Sequence, residues 1–528
     1  MINRTTLNSF SISLASTKGK IFAFSLAYAV AIFLYWTSFS GQPIWDDMTF
    51  WFYDPIMAPE YSHLEIWKKF TWPVSVSAQK ILMQIGGMQW WFYHWMNFVF
   101  HCFNAWLVFQ FMRLLRTRYL YCFFGFLLFL YHPANVLAVA WMIQFKTLLC
   151  FTLGLGALSL YLRAKGFRDH VLANLLFLLS VLSKSSSIPL PLVMLFLLGK
   201  SWKTKRCLTL VPFFLIMSFG VYRIAHSELT REGVKHASKM AASEVDEKPS
   251  SFTSPEIEQA PPAEKTASDP KEVRIFKPLP DEPFSEGPVP AVKAPEARIG
   301  SATDRDFGEE LKPFLDQGRL LLKTAYYYFW QVYLPIDSSP VKGLNPFPPG
   351  VLEYLHLFFL LIVAAATWNT PLFSRLMAAH FLLLPYLGLV PAPYMLVTWV
   401  SDQHLYLAMP CFILFFFGCV EKLKVRWVVP PVLCLLIYFG VKTHQASSFY
   451  KDNFTFYEQS IKANQNNIPL VYNLSILYIA HGRNRDAADL VESIILLGRE
   501  HKYLTENRYY PYLVHVYTQL IPDSALVK

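Results

Sequence analysis

"IFAFSLAYAVAIFLYWTSF", residues 21–39, decides the class of fold. It runs 19 residues without a charge. At about 1.5 Å per residue such a helix is about 28 Å long, close to the ~30 Å hydrocarbon thickness of a bilayer. The next stretch, "GQPIWDDMTFWFYDP" (residues 41–55), sets an acidic pair, Asp46 and Asp47, among aromatic residues. A carboxylate is costly beside lipid, so an acidic pair at the exit of a span needs a reason.

The rest of the chain repeats the first signal. Of 528 residues, 54% are hydrophobic and 17% aromatic, with mean hydropathy +0.30. That composition specifies a polytopic, all-α membrane protein. The net charge of +10 does not mark a nucleic-acid binder. Much of the Lys and Arg falls in short clusters between apolar runs, as the positive-inside rule expects of cytoplasmic loops. The first run lacks a small-residue cleavage site and reads as a span rather than a removable signal. The seven Cys have no metal-ligand spacing, so neither a zinc site nor a disulfide is expected.

Basic clusters at Lys18/Lys20, Arg113–Arg118, Arg163–Arg168, Lys200–Arg206 and Lys422–Arg426 fix the parity of the spans. Between them this counting predicts a bundle of about 11 transmembrane helices, with the N-terminus cytoplasmic and the C-terminus external. Four regions follow. Residues 1–226 form an N-terminal transmembrane core whose first external loop is 41–92. Residues 227–313 are rich in Pro, Glu, Lys and Ser and poor in large apolar groups, and are expected to be a disordered external loop. Residues 314–445 form a second transmembrane part. Within it, parity leaves one run that does not cross, and 319–335 ("LLLKTAYYYFWQVYLP" from residue 320) is expected to lie at the interface or re-enter, because its Lys323, Tyr cluster and Pro335 suit that place. Residues 446–528 form a helical, external tail. There Leu474, Tyr478, Gly482 and Ala487 match the offsets of the tetratricopeptide repeat, and so short an array is expected to lean on the membrane part.

Five constellations carry the chemistry. Asp46 and Asp47 could share a proton or a divalent cation, one acting as a general base. They could equally be a solvated loop start or a helix cap, a role that Asn would fill as well. His94, Asn97, His101 and Asn104, spaced 3, 4 and 3, share one helix face. That stripe either lines a polar cavity or ties helices together. His132 and Lys146, then Lys184, then Asp402 and His404 all fall on the external side by parity. Cations gathered at a membrane surface suit a phosphate-bearing lipid. No Gly-rich phosphate loop, zinc-protease pattern or nucleophile elbow competes with this reading. No paired hydropathy halves suggest a transporter.

In order along the chain, "IWDD", "YHWMNFVFHCFNAWLVF", "LYHPANVLAVAWMIQFKTLL", "LLSKSSSIPLPLVML" and "SDQHLYLAMP" resemble the motifs of one family. It is the multi-spanning O-mannosyltransferase-like proteins that end in tetratricopeptide repeats, within the GT-C glycosyltransferase superfamily. The resemblance implies a GT-C-like bundle and a transferase that needs no cofactor. It would take a sugar from a polyprenyl-phosphate donor and pass it to an acceptor hydroxyl, on a protein Ser or Thr, on the external face. Asp46 or Asp47 would be the base. His94, His101, His132, Lys146, Lys184, Asp402 and His404 would line the donor site, and the tail would present the acceptor protein. A bacterial inner membrane is the expected location, with membrane lipid as the surroundings and no nucleic acid as partner. The chain departs from the family at Trp72, Phe145, Thr147, Ser185 and Gln403, which stand where the family carries charged residues. Those losses keep a second reading open, a non-catalytic membrane scaffold that binds a partner through its tail.

Overall fold

The computed structural model describes residues 16–45, 47, 48, 54–198, 205–224, 307–335, 337–342, 349–387, 398–463, 467–500 and 510–521. Every regular element among them is a helix. In chain order they are α1 (Thr17–Tyr35), α2 (His63–Lys69), α3 (Pro73–Gly86), α4 (Trp90–Leu114), α5 (Tyr119–Leu130), α6 (Val136–Ala140), α7 (Phe145–Arg163), α8 (Phe167–Val181) and α9 (Leu190–Leu198). The apolar helix α10 (Leu208–Ile224) follows. Then come α11 (Phe307–Tyr333), α12 (Val351–Thr367), α13 (Pro371–Leu383), α14 (Leu405–Val420) and α15 (Val425–Ser448). The tail holds α16 (Asn453–Ala463), α17 (Ile468–Ala480), α18 (Asn484–Glu500) and α19 (Tyr510–Leu520).

Local sequence explains the boundaries. Ser16 caps α1, its hydroxyl accepting the Gly19 amide. Ser62 and Glu65 form the capping box of α2. Thr370 caps α13 with Pro371 in its first turn, and Asn467 caps α17 with Pro469 likewise placed.

Among the described residues, four segments are long and apolar enough to cross a bilayer: Thr17–Ser38, Met142–Arg163, Asp402–Val420 and Val425–Ser448. The pair Tyr119–Leu130 and Pro133–Ala140, bent by 50°, makes a fifth if it is one broken span. The chain is therefore an α-helical membrane protein with four or five spans by this measure, not the eleven that parity predicted. The physical reason is local. Pro133 breaks the run after His132, because the ring removes a donor and clashes with the preceding turn. α8, α9, α12 and α13 have only 15, 9, 17 and 13 residues, short of the ~20 a span needs. α4 is long, but its His and Asn stripe lowers its hydropathy.

Exposure separates lipid-facing from protein-facing surfaces. On α1, Ala27, Ala31 and Leu34 are buried, while Ile21, Phe22, Leu26 and Phe33 are exposed. On α12 only His356 is buried, and Leu352, Leu355, Phe358, Leu361 and Ile362 all face outwards. Apolar surface this continuous belongs against lipid tails. Inside, small and aromatic residues of α4, α5, α7 and α14 make one continuous core.

The chain divides into two units, residues 1–229 with 314–528, and residues 230–313. Of the second, only 307–313 are described, and they form the opening of α11. Most of the expected disordered loop therefore lies outside the described residues, and its last seven positions are helical rather than loop. One face of α11 is buried, with Thr324, Tyr328, Phe329, Gln331 and Val332, while Trp330 is exposed. Of its Tyr cluster, the hydroxyls of Tyr327 and Tyr328 reach Asp402 and the Ser401 carbonyl.

The tail packs as expected against the rest of its unit. Leu470, Leu474, Tyr478 and Ala487 join the main core. Ile468, Val471, Val491, Ile494 and Leu513 form a satellite core of α17–α19. Gly482 turns the chain between α17 and α18 with φ of +73°, a conformation that favours glycine. The result is a four-helix stack, not a repeat array. Solenoid repeats are stabilised by stacking on like neighbours, and this tail is stabilised by the membrane-associated core instead.

Candidate functional site

The acidic loop is held from three sides. Gly41 lies against the tail joint, where an added Cβ would sit 2.6 Å from the Tyr450 carbonyl and 2.9 Å from that of Ser38. Trp45 has φ of +54°, a strained value for an aromatic residue. Asn453 compensates: its Oδ1 accepts the Trp45 amide at 3.3 Å and its Nδ2 donates to the Pro43 carbonyl at 3.0 Å. The Trp45 ring packs on Phe456 and Tyr457 of α16. Asp47 is 1% exposed. Its Oδ2 accepts the Ile44 amide at 2.9 Å, and its Oδ1 accepts the Ile143 amide at 2.9 Å. Asp47 thus fastens the first loop to the turn that opens α7. Asp46 lies outside the described residues.

The stripe on α4 is a hydrogen-bonding seam. His94 Nε2 donates to the Gly41 carbonyl at 3.2 Å. Asn97 Nδ2 donates to the Trp141 carbonyl at 3.0 Å. His101 sits between the Tyr406 hydroxyl, 2.7 Å from Nδ1, and the Leu130 carbonyl, 3.1 Å from Nε2. Asn104 donates to the Leu148 carbonyl at 3.1 Å and accepts from the Thr152 hydroxyl at 2.6 Å. Of the two readings of this stripe, the contacts fit the tying of helices, since buried polar groups in an apolar bundle must find partners.

His132 also has structural contacts. Its Nδ1 accepts the Ala134 amide at 3.1 Å, and its Nε2 donates to the Val332 carbonyl at 2.8 Å. It borders a small apolar crevice with Leu128, Val332, Ile413, Leu435 and Phe439. It does not join the lysines, as the sequence had suggested.

The segments that carry the two lysines do meet, through Thr147. Lys184 is buried in the turn after α8, and its Nζ donates to Thr147 Oγ1 at 2.7 Å and Gln403 Oε1 at 3.1 Å. Thr147 and Gln403 are two of the positions where the chain departs from the family motifs, so those departures build a new pair of ligands for the amine. Lys146, on the first turn of α7, stands over Trp72, its Nζ 5.9 Å from the ring centroid. Burial, with the Lys146 charge beside it, pushes the Lys184 ammonium down to about 7. Three segments far apart in sequence, around residues 146, 184 and 403, therefore converge on one amine. Asp47, through Ile143, anchors the acidic loop beside the same turn.

The 402–404 turn completes the surroundings. Asp402 accepts from the Tyr327 hydroxyl at 2.7 Å and from Gln331 Nε2 at 3.0 Å, and pairs with Lys342 at 3.5 Å. His404 stacks on Tyr386 with ring centroids 3.7 Å apart, and its Nδ1 is 3.1 Å from the Tyr328 hydroxyl. Tyr386 in turn reaches Ser186, two residues beyond Lys184, at 2.7 Å.

Sequence reasoning missed Lys342, which is 3% exposed, and Lys80, which is 1% exposed. The Lys80 ammonium donates to the carbonyls of Ile56, Ala58 and Tyr61 at 2.6–2.8 Å and pins the loop over α3. No local pattern marks either residue, because each partner is set by the tertiary path of a loop. Among the described residues, no group of three metal-ligating side chains gathers. No protein-family model, characterised protein or solved structure matches this chain.

Proposed function

We propose that the protein is an integral membrane glycosyltransferase on a GT-C-like bundle, moving a sugar from a polyprenyl phosphate to an acceptor hydroxyl, on a protein Ser or Thr. The observation that carries this reading is the convergence of Lys146, Lys184, the 402–404 turn and the Asp47-anchored loop on one end of the bundle. An amine held by neutral oxygens, with a second amine on the neighbouring turn, suits a lipid phosphate. Asp46 is proposed as the base that takes the acceptor proton. The tail, joined to the same loop through Asn453, would bring a protein acceptor to it. A bacterial inner membrane with the tail in the periplasm fits the positive clusters. The reaction needs no cofactor, though a divalent cation at Asp46 and Asp47 would also lower the pKa of the acceptor.

One observation favours the scaffold reading. Both Asp47 oxygens are engaged by backbone amides, which suits a fastening rather than proton transfer. The two readings separate in cells that lack the native gene and carry the wild type, Asp46→Asn or Lys146→Gln. Glycoprotein profiling should show a modification restored by the wild type and by neither variant. Equal profiles from all three would leave the scaffold.

A further inference from the structure

Lys184 is 7% exposed and donates two hydrogen bonds, both to neutral oxygens. An ammonium has three donors, so one is left over. Among the described residues, the charge beside it, that of Lys146, is of the same sign. α7 presents Lys146 and the thiol Cys150, whose Sγ donates to the Lys184 carbonyl at 3.4 Å. The 402–404 turn presents His404. Asp402 spends its oxygens on Tyr327, Gln331 and Lys342. Among the described residues no carboxylate pairs with Lys184. Buried charges are ordinarily paired, and a lysine that is not paired sheds its proton instead.

We propose that Lys184, beside Lys146, is a proton-coupled anion site, at which a phosphate monoester, the form in which the polyprenyl phosphate is left once its sugar departs, binds together with one proton that comes to rest on Lys184. The inference rests on the transfer proposed above and adds to it how the site is charged. The phosphate supplies the missing negative charge, and its oxygens take the spare amine donor. With burial and Lys146 holding the empty amine at about 7, about half the sites are uncharged at neutral pH. A dianion beside Lys184 raises its proton affinity again. Binding therefore takes up a proton, and by linkage affinity falls as pH rises above 7, by up to about tenfold per unit. The phosphate itself titrates near 6, so the effect is read at and above pH 7.

The test uses the full-length protein in nanodiscs and farnesyl phosphate as the probe. Calorimetric titrations in two buffers of different ionisation enthalpy give the protons taken up per ligand. About half a proton is expected at pH 7 and close to one at pH 8, with weakening affinity. Lys184→Arg, which is always charged, should bind without uptake. Lys146→Gln should take up less at pH 8, because removing that charge lets the empty Lys184 keep its proton. Binding by the wild type with no uptake and no pH dependence overturns the coupling and leaves the donor reading standing. Failure of farnesyl phosphate and inorganic phosphate alike to bind overturns both. Equal binding and uptake with inorganic phosphate would support the coupled site and assign it to a soluble phosphate rather than a lipid.

Discussion

Asp47→Asn is the sharpest single test of how the first loop is built. The carboxylate is almost fully buried and joins two segments 96 residues apart, through the amides of Ile44 and Ile143 at 2.9 Å each. A hydrogen bond to a charged acceptor contributes about 1.5–3 kcal/mol, and a buried amide left without an acceptor costs about 1–3 kcal/mol. Asn offers one carbonyl oxygen and one NH2 group. It can keep one of the two amides as partner, but it presents a donor to the other. The expected loss is about 2–4 kcal/mol, and Asp47→Ala, which offers neither acceptor, should lose more. Asp54 provides the control. Its Oδ1 accepts the Ile56 amide at 3.0 Å but is only partly buried and bridges nothing distant, so Asp54→Asn should cost about 1 kcal/mol or less. The assay is thermal unfolding of the purified protein in detergent, followed by intrinsic fluorescence, with limited proteolysis of the first loop as a local probe. Asp47→Asn should lower the midpoint well beyond the Asp54 control and expose the loop to cleavage. If Asp47→Asn unfolds like the wild type while a cellular glycan is lost, the carboxylate is a catalytic group and the fastening role argued above is wrong.

Three further outcomes follow from the same geometry. Tyr406→Phe removes the hydroxyl that His101 and Asn104 share, so it should cost about 1–3 kcal/mol in the same unfolding assay while leaving the fold assembled. Gly41→Ala sets a methyl group 2.6 Å from the Tyr450 carbonyl and should prise the first loop from α16, read as faster proteolysis at the tail joint with the bundle intact. Lys80→Met keeps the apolar stem but strips the donor from the carbonyls of Ile56, Ala58 and Tyr61, so residues 54–61 should exchange amide hydrogens faster while α7 and α14 stay protected.

The sequence by itself determined the class of the protein. Long uncharged runs, an aromatic-rich composition and basic clusters between the runs are properties of short windows, and lipid acts on short windows. It also determined the α4 stripe, because 3, 4 and 3 spacing places four polar groups on one side of any helix. The number of spans was not legible in the same way. Parity counted every apolar run except 319–335 as a crossing, but Pro133 bends the chain after one run and several others form helices too short to span. The Tyr cluster of α11 read as interfacial because tyrosine favours interfaces, yet the hydroxyls of Tyr327 and Tyr328 are taken up inside by Asp402 and the Ser401 carbonyl. The site divides along the same line. Alternation of the runs brought Lys146, Lys184 and the 402–404 segment to one side only as an expectation. Which amine meets which oxygen was not legible. Thr147 and Gln403 looked like losses when compared with charged family positions, and only the packing of α7 against the turns at 184 and 403 turned them into the partners of Lys184. Asp47 looked like a base and became a fastening because the Ile143 amide arrives from 96 residues away. Contacts across such separations depend on how whole helices pack, and no window of sequence contains that information.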